Sequence, residues 1–251
     1  MGLSRWVSNL NQTPVSLLRF GSGDGTCRYR SRRYWKKRSW LALGTFALLA
    51  SAKTVLAEQS NDALLSRIGS GNPVAGKHKS ESERCQECHG ETGNAEDARV
   101  PKHAGQYAAY LIKQLRDFQS GERRHEIMVK MAADLSPADI EDIAAYFASQ
   151  NIMQGDGSGN TPLAKNLFAN GDPAREIPAC ASCHGEKGKG KFADNVFYPV
   201  IGGQGKLYLR RQLVNWKLAE RKNSPDAVMN KATKALREDE IEALVDYISG
   251  L

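Results

Sequence analysis

The apolar residues of the segment 106–118 recur mostly three and four positions apart, which is the spacing of one face of an α-helix. They are Tyr107, Tyr110, Leu111, Leu115 and Phe118. The segment 204–218 has a similar pattern, and its apolar residues are Leu207, Tyr208, Leu213, Val214 and Leu218. The hydrophobic pattern therefore predicts two amphipathic helices of the same kind.

A later helix is predicted to begin at Ser136, whose hydroxyl can cap its first turn. Pro137 then occupies the first helical position, and Asp139 lies in the first turn. The apolar stripe of this helix is Ile140, Ile143, Ala144 and Phe147, and a matching stripe near residue 245 is Ile241, Leu244, Val245 and Ile248. No segment shows a convincing strand pattern. The expected fold class is therefore all-α.

Internal similarity shows that the chain contains a tandem repeat. At an offset of 98 residues, AGQYAAYLIKQL (104–115) and GGQGKLYLRRQL (202–213) are identical at six of twelve positions. At an offset of 101 residues, LSPADIEDIAAYFA (135–148) aligns with LREDEIEALVDYIS (236–249). This identity exceeds what shared helix composition gives, so we expect two copies of one structural unit.

The repeat, together with the composition between its copies, sets the predicted domain boundaries. Residues 154–161 are rich in Gly, Asn, Asp and Ser, which are turn-forming residues typical of a linker. We therefore predict a leader over residues 1–57, a first domain over 58–153 and a second domain over 162–251.

The leader has the pattern of an export signal. A basic stretch precedes a mainly apolar run of 13 residues, 40–52, which is followed by a small-residue pattern that ends at Ala57. This run is shorter than the roughly 20 apolar residues that a spanning helix needs. We expect cleavage after Ala57 and a periplasmic mature chain that begins near Glu58, with membrane association through a retained leader as the alternative.

Four cysteines beyond the leader occur in two identical motifs, Cys85, Cys88 and His89, then Cys180, Cys183 and His184. Two thiols three residues apart and a histidine directly after them lie on one side of a helix, as covalent attachment of haem requires. A redox dithiol would need a βαβ context, and a zinc site would place its two pairs about 15–20 residues apart. Because 91 residues separate Cys88 from Cys180, the sequence predicts two haem c groups, one per repeat.

The repeat register indicates a sixth ligand for each iron. Met128 lies seven residues before Leu135, and Met229 lies seven before Leu236. A thioether is a known haem ligand that raises the reduction potential. Met131 is the alternative candidate for the sixth ligand in the first copy, but its repeat partner, Ala232, cannot bind a metal. Packing in the core is the alternative role for these methionines.

Three histidines and one methionine lie outside these patterns. His103 stands where the second copy has Ile201, and we expect a partly buried or rim residue that could tune the first haem. His78 and His125 have no counterparts in the second copy and are expected at the surface. Met153, beside the linker, is given no role.

The charge of the chain is concentrated in the leader, which holds ten Lys or Arg and one acidic residue. The formal charge of +7 therefore becomes −2 for residues 58–251, and nucleic-acid binding loses its main support. Residues 58–153 carry −4 and residues 154–251 carry +2. This dipole could orient the protein at charged partners, with ordinary solvated lysines as the alternative reading of Lys187, Lys189 and Lys191.

The residues around the two motifs resemble the dihaem cytochrome c4 family. The resemblance covers nearly all of residues 73–251, through CxxCHG, PKHAGQ and PVIGGQ, YLxxQL and LSxxDIxxIAAYF. It implies two tandem cytochrome c domains, each built around one covalent haem with His/Met ligation. It also implies that the carbonyls of Pro101 and Pro199 accept the Nδ1 protons of His89 and His184, which leaves Nε2 for iron.

The expected function is electron transfer without catalysis, from a respiratory donor to a terminal oxidase, as the family resemblance implies. A cytochrome subunit of a periplasmic dehydrogenase, for instance one acting on reduced sulfur compounds, is the first alternative. A haem enzyme with one open iron site, such as a peroxidase, is the second. Both copies supply a methionine and no catalytic constellation lies beside either motif, which favours the electron carrier. The expected partners are redox proteins.

Overall fold

The computed structural model describes residues 64–251. The predicted leader, its cleavage point after Ala57 and the first residues of the predicted first domain lie outside the described residues. In the first half, residues 64–153, the helices after the helical residues 64–68 are α1 (Pro73–Ser82), α2 (Cys85–His89), α3 (Ala108–Ser120), α4 (Glu126–Ala132) and α5 (Pro137–Ser149).

In the second half, residues 162–251, the helices are α6 (Pro162–Asn170), α7 (Cys180–His184), α8 (Lys206–Lys217), α9 (Val228–Thr233) and α10 (Glu238–Gly250). Short 3-10 turns lie at Pro173–Arg175 and Pro225–Ala227. The helices predicted from hydrophobic spacing correspond to α3, α5, α8 and α10. Within residues 64–251, no helix is both long enough and apolar enough to cross a membrane.

The core of the first half forms where α5 packs against α1 and α3. α5 begins at the predicted cap, since Ser136 Oγ accepts from the Asp139 amide at 3.1 Å and the Asp139 carboxylate accepts from the Ser136 amide at 3.2 Å. α1 approaches α5 very closely, because a Cβ added at Gly76 would lie 1.8 Å from the Asp142 carbonyl oxygen. The larger buried residues of this core are Leu111, Leu135, Ile140, Ile143, Tyr146 and Phe147.

The core of the second half repeats this plan, with α10 packed against α6 and α8. At the start of α10, Arg237 stands at the repeat position of Ser136, and the Glu240 carboxylate has the role that Asp139 has in α5. Glu240 is 1% exposed, accepts from the Arg237 amide at 2.9 Å, and is held by the Arg175 guanidinium at 2.6 Å and 3.1 Å. The start of α10 is therefore held by the ion pair of buried Glu240 with Arg175, whereas Asp139, at the equivalent position of α5, pairs with Lys79 at 3.4 Å.

A short antiparallel hairpin interrupts the helical pattern of the second half. Its strands are β1 (Lys191–Ala193) and β2 (Val196–Tyr198), joined by Asp194 and Asn195 at φ 52° and 59°. The expectation of no strand was wrong here. The hairpin is encoded by the turn rather than by a long alternating pattern, because Asp and Asn tolerate the left-handed conformation that a two-residue turn needs.

The two halves share a small buried cluster formed by Ala104, Met153 and Val200. Met153, which was given no role from the sequence, is buried there. Lys189 contributes to the same region, since its ammonium donates to the backbone oxygens of Met153 and Leu251 at 2.9 Å each. Of the three lysines after the second motif, Lys187 and Lys191 are exposed to solvent whereas Lys189 is a structural contact.

Candidate functional site

Each cysteine motif forms one short helix that ends directly after its histidine. A glycine with a positive φ terminates each helix, with φ 81° at Gly90 after α2 and φ 80° at Gly185 after α7. Burial raises the pKa of the Cys85 and Cys180 thiols to about 11. A catalytic redox dithiol needs a lowered thiol pKa, so these environments oppose that alternative.

The histidines of the motifs are buried and held in one orientation. His89 Nδ1 donates to the Pro101 carbonyl oxygen at 2.8 Å, and His184 Nδ1 donates to the Pro199 carbonyl oxygen at 2.9 Å. Because a carbonyl can only accept, Nδ1 carries the proton and the Nε2 lone pair is available to a metal. Burial lowers the pKa of both histidines, which favours the neutral imidazole that a metal ligand requires.

Both motifs open into one continuous cavity of about 1560 Å³. A site for one small ligand typically measures roughly 300–1,000 Å³, so this cavity has room for more than one large group. Its apolar walls include Leu115, Phe118, Phe147, Leu213, Trp216 and Leu244. The cavity thus joins the two sites predicted from the motifs inside the two halves.

Two methionines line this cavity from opposite halves. Met128 lies on α4, which packs against α3, and Met229 lies on α9, which packs against α8. Met131 is 36% exposed and is not part of the cavity wall. Thiols, buried imidazoles and thioethers around an apolar cavity are a donor set that fits haem c.

The remaining histidines differ in their environments. His103 is partly buried, as expected, and its ring stacks on that of His89 with 4.1 Å between centroids. His78 is exposed, as predicted. The prediction of a surface position for His125 was wrong, because this residue is partly buried and lines the cavity. Burial, followed by the nearby Arg211, lowers the pKa of His125.

A polar cluster between the two halves was missed by the sequence interpretation. Arg123 and Arg221 are repeat partners at the offset of 98 residues, and both line the cavity. Each guanidinium donates to a tyrosine hydroxyl of the opposite half, Tyr208 at 3.0 Å and Tyr110 at 3.3 Å. The shared repeat offset of these two arginines was the sequence feature that could have marked them as functional residues. The cluster places two permanent positive charges where carboxylates of a bound group would be stabilised.

Comparisons with known proteins agree with this geometry. The family model described as Cytochrome c matches residues 163–251. Cytochrome c4 of Pseudomonas aeruginosa is 36% identical over 183 residues, which cover 72% of this chain and 89% of that protein. The chain belongs to the cytochrome c4 family. A crystal structure of reduced recombinant cytochrome c4 from Pseudomonas stutzeri has a TM-score of 0.67 at 35% identity, covering 72% of this chain and 100% of the other.

A second kind of relative also matches this cytochrome. A protein named thiosulfate dehydrogenase electron acceptor, from Stutzerimonas stutzeri, is 32% identical over 221 residues, covering 86% of this chain and 96% of that protein. These findings confirm the all-α tandem cytochrome fold, the haem c cofactors and electron transfer without catalysis.

Proposed function

We propose that this cytochrome shuttles single electrons between redox proteins in the periplasm, with one haem c in each half. The observation that carries the proposal is the pair of buried imidazoles, each held by a proline carbonyl, which face a cavity that a methionine lines in the same half. Each half thus offers its own full set of donors, and the shared cavity brings the two sets together.

Four residues in each half would hold its haem. In the first half, Cys85 and Cys88 would form the thioethers, while His89 and Met128 would bind iron. In the second half the same roles fall to Cys180, Cys183, His184 and Met229. When bound, each haem supplies one-electron chemistry between ferric and ferrous iron. A histidine and a methionine in each half would both hold the iron, an arrangement that suits a carrier rather than an enzyme with an open iron site.

The proposed electron donor is a respiratory complex, and the proposed electron acceptor is a terminal oxidase.

We propose a leader over 1–57 that directs export, a first domain over 58–153, a linker over 154–161 and a second domain over 162–251. The charge and apolar pattern of the leader support export, and the turn-forming composition of the linker supports the division.

The haem content provides the direct test. Native protein from the periplasmic fraction is analysed by pyridine haemochrome absorbance and by intact mass. We expect two covalent haems per chain and the mass of a chain that begins near Glu58. One haem per fully matured chain would contradict the assignment of both motifs, and a mass that includes residues 40–52 would favour a membrane anchor.

A second candidate function is electron acceptance from a thiosulfate-oxidising enzyme, which the thiosulfate dehydrogenase electron acceptor relative supports. The two functions differ in what reduces the protein. For the respiratory carrier, membranes supplied with a quinol reduce it rapidly, whereas thiosulfate with a purified thiosulfate dehydrogenase does not. The reverse pattern, measured by stopped-flow haem absorbance, would select the second function.

A further inference from the structure

Two glutamine side chains join the halves in a reciprocal manner. Gln204 Nε2 donates to the Lys102 carbonyl oxygen at 2.9 Å, and Gln204 Oε1 accepts from the Lys102 amide at 2.7 Å. In the opposite direction, Gln106 Nε2 donates to the Val200 carbonyl oxygen at 2.8 Å, and Gln106 Oε1 accepts from the Val200 amide at 2.9 Å. Each glutamine therefore pairs with both backbone groups of one residue in the other half.

The peptide groups held in this way are those that orient the motif histidines. The Pro101 carbonyl, which accepts from His89, and the Lys102 amide, which donates to Gln204, belong to one planar peptide unit. The peptide between Pro199 and Val200 links His184 to Gln106 in the same way. Each motif histidine is thus separated from a glutamine of the opposite half by one rigid peptide.

The two glutamines have little freedom to adopt other positions. Gln106 is 3% exposed and Gln204 is 4% exposed. Each side-chain amide oxygen also accepts from the backbone amide of the next residue along the sequence, at 3.1 Å from Tyr107 for Gln106 and at 2.9 Å from Gly205 for Gln204. These contacts fix the orientation of each side-chain amide, so water does not readily replace it at the proline peptide.

Hydrogen bonds in series strengthen one another. When the Lys102 amide donates to Gln204, the peptide becomes more polarised and the Pro101 carbonyl becomes a better acceptor for His89 Nδ1. A stronger bond at Nδ1 makes the imidazole a more basic ligand and favours ferric iron. Loss of the glutamine contact should therefore raise the reduction potential of the haem that this imidazole binds.

We propose that Gln106 and Gln204 are positioning residues that set the reduction potential of the haem in the opposite half. Gln204 acts on the first haem through Lys102 and Pro101, and Gln106 acts on the second haem through Val200 and Pro199. The inference rests on the proposed function, in which the motif histidines His89 and His184 bind the haem irons.

The test uses dihaem protein with Gln204→Met or Gln106→Met, which remove the hydrogen bonds with an uncharged side chain of similar length. Spectroelectrochemical titration gives both potentials, and NMR of the axial ligands assigns each potential to its haem. Gln204→Met should raise the first haem potential, and Gln106→Met should raise the second. We expect the electron distribution between the haems to change about threefold to tenfold, where tenfold corresponds to 59 mV.

The matched control is Ile152→Ala, which loosens the apolar cluster that includes Val200 but removes none of the hydrogen bonds between the glutamines and the proline peptides. It should leave the electron distribution between the haems unchanged. The inference is wrong if a methionine variant shifts the haem of its own half, shifts both haems equally, or shifts neither.

A measurement on the unsubstituted dihaem protein does not depend on any variant folding. The Lys102 and Val200 amide protons should exchange with solvent slowly and at similar rates, and rapid exchange of either would overturn the inference. The near-infrared spectrum of the same sample distinguishes a failure of this inference from a failure of the ligand assignment. Absence of the near-infrared sulfur-to-iron band would contradict the ligands, whereas a normal band without crossed shifts contradicts only the role of the glutamines.

Discussion

At the scale of single residues, exposure distinguishes the candidate methionine ligands from their neighbours. Met128 and Met229 line the cavity from equivalent positions, whereas Met131 is not part of the cavity wall and is 36% exposed. An axial ligand has to reach the interior of the cavity, so the two cavity methionines are the candidates that the fold permits.

The first prediction concerns Met128→Ala in the oxidised protein. Half of the near-infrared sulfur-to-iron absorption should disappear, because one of two iron–thioether bonds is removed, and the first haem should then bind small ligands. Met131→Ala should leave the band intact and cost on the order of 0.5 kcal/mol in the free energy of unfolding, as for an exposed site. Loss of the band in Met131→Ala with retention in Met128→Ala would show that the repeat register misassigns the ligand.

Sequence spacing predicted those candidate residues of the site that occur twice at one register. The cysteines and histidines were proposed from local spacing, and Met128 and Met229 from their shared repeat position. Spacing along one chain says nothing about contacts between halves, so the partners of Arg123 and Arg221 were missed. The burial of His125 was missed for the same reason, since it depends on how α4 sits against the rest of the fold.

At the scale of helices and strands, the start of α10 depends on the buried carboxylate of Glu240. The side-chain hydrogen bond from Arg175 holds the pKa of Glu240 below its ordinary value. A carboxyl whose pKa is lowered by folding stabilises the protein above its unfolded pKa, and this contribution is lost as pH falls through the folded value.

Glu240→Gln should therefore reduce the free energy of unfolding at pH 7 by roughly 1–3 kcal/mol, less than for a fully buried pair because Arg175 is partly exposed. The difference from the unsubstituted protein should shrink as the pH falls below the ordinary glutamate pKa of about 4.3 and through the lower folded value, below which the carboxyl is protonated in both states. Denaturant titrations at pH 7 and over a series of acidic pH values provide the measurement. A pH-independent difference would mean that packing, rather than charge, holds the start of α10.

The hairpin gives a second prediction at this scale. Asn195→Val places a β-branched residue at φ 59° and should destabilise the second half by about 1–2 kcal/mol. Asn195→Gly tolerates the same φ and serves as the matched control. Amide exchange across the β1–β2 ladder reports the effect locally, and equal protection in the two variants would argue that the turn conformation is unimportant.

The helices could be predicted with more success than the hairpin. A stripe of apolar residues over several turns is a strong signal, whereas three-residue strands such as Lys191–Ala193 are too short to show alternation. The close approach of α1 to α5 at Gly76 could not be predicted from the hydrophobic pattern either, since it depends on which helix lies opposite.

At the scale of the whole molecule, we expect the two halves to depend on separate haems although both motifs open into one cavity. A variant with both Cys180→Ala and Cys183→Ala should retain one covalent haem. It should lose amide protection mainly within residues 162–251, because a half of this size relies on its haem for much of its core. Haem counting with hydrogen-exchange mass spectrometry measures both effects. Equal loss of protection in residues 64–153 would show that the halves fold only as one unit.

The reciprocal glutamine contacts have the form of an interface between identical subunits. In a two-fold symmetric dimer, a residue of one subunit contacts a position in the other, and the equivalent contact recurs in reverse. Gln106 with Val200 and Gln204 with Lys102 obey this rule at the repeat offset of 98 residues. The chain therefore has the arrangement expected from a monohaem homodimer whose duplicated genes became fused. A chain that carries both copies can also differ between them, as it does with a histidine at position 103 and an isoleucine at 201, an asymmetry that no homodimer can encode.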